Sequence, residues 1–396
     1  MKTITSIMLS AILVVSVLAP IHAHAEQGPT APGDKDITIT GAGATFPYPL
    51  IDTWRVEYNK LYPHVQLNYQ SIGSGGGIKA HTQKTVNFGA SDAPLSLTES
   101  GAAKGTLTIP ETIGSVVITY NLPEFPNKGL KLTGEVIAGI YFGEISKWND
   151  PKIQQLNPTV KLPDKKIVTV HRSDGSGTTY IFTNYLSLVS QHWSSSIKYG
   201  KSVPWPNGIG SPGNEGVTNA VKRSPYSIGY VELAYAYQNN LPYAFIQNAD
   251  KTGFVEPSIE TSFAAVGHYP VDKLPAADKD WSKVNILLAP GPNSYPIVSF
   301  TYLIVYQDLN KVTKGDIDKA KALVHMIYWM VTDGQKYSEK LLYVPLPSAV
   351  QEHNKEALGS IYFKSYNNKI WNYQQDSTET KTLKTIQNTL VQLGNK

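Results

Sequence analysis

Cysteine is absent from all 396 residues. Disulfides, thiolate catalysis, iron–sulfur ligation, cysteine-bearing zinc sites and lipid attachment through cysteine are thereby excluded. Arginine is nearly absent: only Arg55, Arg172 and Arg223 occur. No basic patch for nucleic acid therefore stands out, despite a formal net charge of +4. Charged residues amount to 17% and hydrophobic ones to 41%, far from the composition of a disordered chain. Past the N-terminal segment no apolar run is long enough to span a bilayer. What remains is a globular chain long enough for two domains, or one large one, whose chemistry rests on oxygen, nitrogen and backbone groups.

The first 25 residues read as a signal peptide. Lys2 supplies the positive start, Ile7 to Leu18 is largely apolar, and Ala23-His24-Ala25 is a small-residue cleavage site before Glu26. Export to a periplasm is the expectation. At the other end Leu383, Ile386, Leu390 and Leu393 share one helical stripe, with Asp376 and Glu379 placed as N-cap and N3 partner. This predicts an amphipathic terminal helix that packs on its own domain or docks another surface.

Between the ends, strands alternate with helices, the pattern of an α/β fold with a mainly parallel sheet. Ile37–Thr40 reads as a strand, and Leu50, Ile51, Trp54, Tyr58 and Leu61 mark the helix after it. Further strands are expected at Val65–Tyr69, Val86–Ala90, Val116–Tyr120, Ile167–Val170, Ile228–Val231 and Pro296–Val305. Ile317, Ala320, Val324, Ile327 and Val331 mark a helix ended by Asp333-Gly334. Gln247 to Pro296, rich in Pro, Gly, Asp and Lys, reads as long surface loops.

Three glycine-containing turns stand at strand-to-helix junctions. In Gly41-Ala42-Gly43-Ala44-Thr45-Phe46-Pro47 the glycines permit close backbone approach, Thr45 offers a hydroxyl, and Pro47 suits helix position N1. Ile72-Gly73-Ser74-Gly75-Gly76-Gly77 repeats the logic with Ser74, and Arg172-Ser173-Asp174-Gly175-Ser176-Gly177-Thr178 adds one of the few arginines. Each turn alone is compatible with an ordinary tight connection. Together they offer free N–H groups and positive helix ends to an anion, with Arg172 as a planar fork and Asp174 placed to orient it.

Asp92, in Phe88-Gly89-Ala90-Ser91-Asp92-Ala93-Pro94, follows a strand end, where ligands gather in α/β sheets. A carboxylate there is either a turn former or an acceptor facing the ligand. In the second role it repels any anion lacking a proton. Phosphate at neutral pH retains at least one and sulfate has none, so Asp92 would select the former.

Several motifs are missing. No G-x-x-x-x-G-K-[ST], G-x-G-x-x-G at Gly73–Gly77, G-x-S-x-G around Ser74 or Ser176, or H-E-x-x-H occurs. Nucleotide binding and serine hydrolase chemistry lose their main support. His171 reads as structural, and no metal site or cofactor is expected.

At these residues the chain resembles the phosphate-binding proteins of high-affinity phosphate ABC transporters, a class of two-lobed periplasmic binding protein (type II). Thr40 to Pro47, Gly73-Ser74, Phe88 to Leu95 and Arg172 to Thr178 resemble that family's anion-contact segments. Tyr141 to Trp148, Pro204 to Gly216 and Ile228 to Tyr235 resemble its second lobe, so the similarity runs from about Asp36 to Val350. The resemblance implies phosphate contacts from Thr45, Phe46 (through its backbone N–H), Ser74, Asp92, Arg172, Asp174, Ser176, Gly177 and Thr178. It further implies lobe I at 36–115 and 298–396, with a helical extension from about 360, and lobe II at 116–297. The hinge falls near Gly114–Val117 and Ile297–Val298. A monomer that closes on phosphate and meets the permease and ATPase complex of an importer is expected. Another tetrahedral oxyanion, or a phosphatase using Ser74 or Ser176 near His171, are the competing readings. The chain departs from the family in its tail, since members end soon after the equivalent of Val350 to Tyr362.

Overall fold

A computed structural model describes residues 28–364 and 368–373. The signal segment 1–25 and the helix expected at Leu383–Leu393 lie outside the described residues. Eleven strands organise the body: β1 (Ile37–Gly43), β2 (Val65–Ser71), β3 (Phe88–Ser91), β4 (Thr106–Tyr120), β5 (Lys131–Leu132), β6 (Val168–Arg172), β7 (Ile209–Ser211), β8 (Ser227–Glu232), β9 (Phe245–Gln247), β10 (Phe254–Val255) and β11 (Val298–Tyr306).

Eight of them form one mixed sheet in the order β2-β1-β3-β11-β4-β8-β6-β7. The outer pairs β2-β1, β1-β3, β8-β6 and β6-β7 are parallel, as the alternation of strands and helices requires. The central pairs β3-β11, β11-β4 and β4-β8 are antiparallel. β4 and β11 lie side by side at the centre of the sheet. β4 pairs with β11 from Thr106 to Ser115 and with β8 from Val116 to Tyr120, so one 15-residue strand belongs to both halves. All of it except Thr106 is buried. A separate small sheet, β10-β9-β5, lies beside the end of β4, where the Ala244 N–H donates to Ile118 O at 2.8 Å.

Helices cover the sheet where the apolar spacing places them. Helix Tyr48–Leu61 buries Leu50, Ile51, Trp54 and Tyr58, while Leu61 at the end of the stripe is exposed. Pro47 occupies the N-cap rather than N1. The Trp54 indole N–H donates to Gly334 O at 2.8 Å, which joins this helix to the turn after helix Ile317–Val331. Burial of each such large side chain stabilises by roughly 1.5–3 kcal/mol.

Gln247 to Pro296 departs from the expected loops. It contains β10 and helix Ile259–Gly267, whose start is fixed by a reciprocal cap between Ser258 and Thr261. The helix buries only Ser262, Ala265 and Val266, too narrow a stripe to register as periodicity. Within the span from residue 360, Tyr362–Phe363 pairs with Asn368–Lys369 as a short ribbon. Ile361 and Phe363 are buried and Tyr362 is exposed, the alternation of a strand. No described helix is long and apolar enough to cross a membrane.

Candidate functional site

The ends of β1, β3 and β6 and the starts of four helices meet along the line where the two halves face each other. Helices Tyr48–Leu61 and Gly73–Thr82 come from the first half, Gly177–Val189 and Gly213–Arg223 from the second. Their first turns carry N–H groups without intrahelical partners. The Phe46 and Thr178 N–H groups have no acceptor among the described residues.

Arg172 ends β6, with its side chain 1% exposed. Its Nε and one terminal nitrogen donate to the two oxygens of Asp174 at 2.7 and 2.6 Å. The other terminal nitrogen reaches Thr178 Oγ1 at 3.3 Å. Asp174 also accepts from the Gly213 N–H at 3.1 Å. Burial raises the Asp174 carboxyl, but the paired Arg172 guanidinium outweighs it and the net shift is downward. Behind Arg172, Tyr141, Phe182, Trp205 and Tyr230 pack ring against ring, and the Arg172 N–H donates to the Tyr230 hydroxyl. The guanidinium is thus held by Asp174 and Thr178 before any ligand arrives, on a strand end whose backbone is pinned to the Tyr230 hydroxyl.

Opposite it stands Asp92, just past the end of β3 and 2% exposed. Its Oδ1 accepts from Thr301 Oγ1 at 2.9 Å, and Oδ2 lies 3.5 Å from Ser74 Oγ. Ser74 Oγ also accepts from the Asp92 and Gly177 N–H groups, both at 3.1 Å. Ser176 caps the following helix by accepting from the Thr179 N–H at 3.0 Å. Burial pushes the Asp92 carboxyl up to about 7, against the Thr301 hydroxyl and the Arg172 charge, which favour ionisation. The native state therefore binds this proton more tightly than the unfolded chain does between about pH 4 and 7, so stability falls as pH rises through that window. Thermal unfolding of ligand-free protein should show a loss of about 2–4 kcal/mol across it, reduced in Asp92→Asn.

All nine sequence-predicted residues converge here: Thr45, Phe46, Ser74 and Asp92 from one half, Arg172, Asp174, Ser176, Gly177 and Thr178 from the other. Thr45 Oγ1 accepts from Asn214 Nδ2 at 2.8 Å, and Phe46 presents its backbone, its ring being buried beside Tyr343. The halves touch closely. Gly75 N–H donates to Gly175 O at 2.8 Å, Tyr235 O–H donates to Thr45 O, and Lys201 pairs with Glu99 at 2.8 Å. A Cβ on Gly177 would lie 2.5 Å from Asp92 Oδ2 and Ser74 Oγ. Gly73, at φ +80, would place its Cβ 2.2 Å from Asp174 Oδ2.

Three residues escaped the sequence reading. Asn214 Nδ2 bridges Thr45 and Thr178 at 2.8 and 3.1 Å, while its Oδ1 accepts from the Glu232 N–H. A Pro-Gly-Asn step at a helix start was its signal. Glu111 is the only charged residue of β4, which is itself a signal, while Thr301 lies in the largely apolar β11 with nothing local to single it out. His171 stacks on Trp205 at 4.9 Å and its Nδ1 lies 3.0 Å from Arg172 O, the structural role expected of it.

A profile of the PBP superfamily domain matches residues 27–333. The phosphate-binding protein PstS of Xylella fastidiosa (strain Temecula1) is 44% identical over 330 residues, covering 82% of this chain and 86% of the relative. PstS of Methanocaldococcus jannaschii is 39% identical over 380 residues, covering 91% and 96%. In three dimensions the chain is similar to a high-affinity periplasmic phosphate-binding protein, PfluDING, solved with bound phosphate at pH 8.5. That likeness has a TM-score of 0.63 and 22% identity over 81% of this chain and 93% of the other, and it shows the two-lobed fold. With a superfamily profile over most of its length and close relatives that match it nearly end to end, the chain belongs to the PstS family of phosphate-binding proteins.

Proposed function

We propose that this protein binds inorganic phosphate between the two halves of its sheet and delivers it to the permease and ATPase of an ABC importer. The observation that carries this reading is the pairing of opposites at one buried point: a guanidinium fork and several helix-start N–H groups face a carboxylate. The cationic side suits an oxyanion. The carboxylate suits only an oxyanion that still carries a proton. In the closed arrangement these groups bond to one another, as between Ser74 Oγ and the Gly177 N–H. Phosphate entering the open form would take up those donors and replace direct contacts between the halves.

In this reading lobe I comprises 36–115 and 298–396, lobe II comprises 116–297, and the hinge lies at Gly114–Val117 and Ile297–Val298. The change of partner of β4 between Ser115 and Val116 supports that boundary. Ligand binding shifts the population toward the closed form, which the permease recognises. The export signal at 1–25 would place the protein in the periplasm as a diffusing monomer. A hydrolase would need a base on Ser74 or Ser176. Among the described residues neither hydroxyl bonds a histidine, and His171 turns to Trp205.

Gly177→Ala tests closure directly. The added methyl group blocks approach of the halves but leaves each half's own packing intact. Phosphate affinity should fall roughly 10- to 100-fold with little change in melting temperature. X-ray scattering should show wild-type protein contracting when phosphate is added and the variant remaining open. Contraction of both to the same radius would contradict the site assignment.

A further inference from the structure

The pairing of β4 with β11 is interrupted once. Thr112 faces Thr301 and Pro110 faces Tyr302, so Glu111 is the extra residue of a β-bulge. Pro110 has no N–H to give a ladder, which a bulge tolerates inside a central strand. The carbonyls released there are satisfied by side chains: Asn354 Nδ2 donates to Pro110 O at 2.7 Å and Gln335 Nε2 to Glu111 O at 2.9 Å. The bulge aims the fully buried Glu111 side chain at the back of the site. Its Oε1 lies 3.1 Å from Thr301 Oγ1, the hydroxyl that is 2.9 Å from Asp92 Oδ1. Its Oε2 has no hydrogen-bond partner among the described residues.

One hydroxyl proton cannot serve two buried carboxylates. Thr301 donates either to Asp92 or to Glu111, and Arg172, the nearby cation, is already engaged by Asp174. The conflict disappears if Glu111 is a neutral acid, because Glu111 then donates to Thr301 and Thr301 donates to Asp92. We propose that Glu111 is a positioning residue for ligand specificity: held as a neutral acid by its bulge, it acts through Thr301 to keep Asp92 ionised, with Oδ2 turned to the proton on phosphate. This rests on the phosphate reading above.

The groups facing Glu111 are Asp92 past the end of β3, Thr301 on β11 and Tyr69 on β2. Tyr69 donates its hydroxyl to Ala44 O, and burial holds it neutral. Arg172, Asp174 and Glu232 act on Asp92 from the other half. Burial pushes Glu111 up to about 8, with the Asp92 charge adding to it against the Thr301 hydroxyl. Asp92 and Glu111 share a hydroxyl, so they titrate as a pair. Asp92 gives up its proton first, since it has the Thr301 donor and feels the Arg172 charge, and above about pH 7 the one proton left belongs on Glu111. Above that range Glu111 ionises and competes for the Thr301 proton. It also adds a second negative charge behind the anion, which remains the hydrogen-phosphate dianion.

The test is calorimetric titration of inorganic phosphate from about pH 7 to 10 on wild type, Glu111→Gln, Thr301→Val and Thr301→Ser, with a carboxyl-carbon NMR titration of ligand-free wild type. Wild-type affinity should fall about 10-fold between the ends of the range. Glu111→Gln, whose amide donates at every pH, should match wild type at pH 7 and stay flat. Thr301→Val should lose roughly 10-fold at pH 7, and Thr301→Ser should restore it. The Glu111 carboxyl should titrate far above the usual glutamate range. A Glu111→Gln profile that falls in parallel with wild type, or a Glu111 resonance titrating near the ordinary glutamate value, would overturn the inference. A wild-type protein that binds no phosphate at any pH would overturn the functional reading and the specificity role with it, while the NMR titration still decides the charge of Glu111.

Discussion

Asp92→Asn should turn a receptor that rejects sulfate into one that accepts it. In the wild type an unprotonated oxygen placed against Asp92 Oδ2 meets a second negative charge and finds no donor, at a carboxylate only 2% exposed. Leaving a buried polar group unsatisfied costs about 1–3 kcal/mol, more where it is charged. Asparagine removes the charge and offers an N–H₂ donor in its place, while its carbonyl can still accept from Thr301 as Asp92 Oδ1 does at 2.9 Å. Sulfate affinity should therefore rise about 100-fold or more, with phosphate affinity changed by less than about 10-fold. Calorimetric titration of both anions checks this. Phosphate affinity and sulfate rejection both left untouched would remove Asp92 from the role of proton acceptor.

The second large effect is expected at Arg172. Arg172→Met removes the planar fork and the positive charge and leaves Asp174 in the site without its guanidinium. Asp174, whose two oxygens are bound at 2.6 and 2.7 Å in the wild type, would then face an incoming anion as an unpaired negative charge. Truncating one partner of a buried, hydrogen-bonded charge pair costs about 2–5 kcal/mol, so phosphate affinity should fall roughly 30- to 4,000-fold. Arg172→Lys keeps the charge but cannot reproduce the two-pronged geometry, and should fall between the two. Equal affinity in all three proteins would place the anion elsewhere.

Much of this site was legible because its chemistry is local in sequence. Glycine-rich turns, a hydroxyl and a following helix start lie within seven residues of one another, and the bidentate pair of Arg172 with Asp174 needs only an Arg-x-Asp step. Asn214, Thr301 and Glu111 were not legible in that way. Their roles depend on partners 169, 209 and 190 positions distant. For Glu111 the role further depends on a bulge that no local pattern announces. The fold divides similarly. Helices Tyr48–Leu61 and Ile317–Val331 show wide apolar stripes and were placed within a residue or two. The length of β4 was underestimated, because a strand buried on both faces has no alternation to mark where it starts. The short capped helix Ile259–Gly267 was missed because it buries so little.

The central claim is that the two halves close on a protonated tetrahedral anion. The most direct test strips the mature protein of bound ligand by unfolding and refolding, then titrates it calorimetrically with phosphate and separately with sulfate at neutral pH. One-to-one phosphate binding with no sulfate signal is the predicted result. Equal binding of the two anions would contradict the role of Asp92, and binding of neither would contradict the site itself.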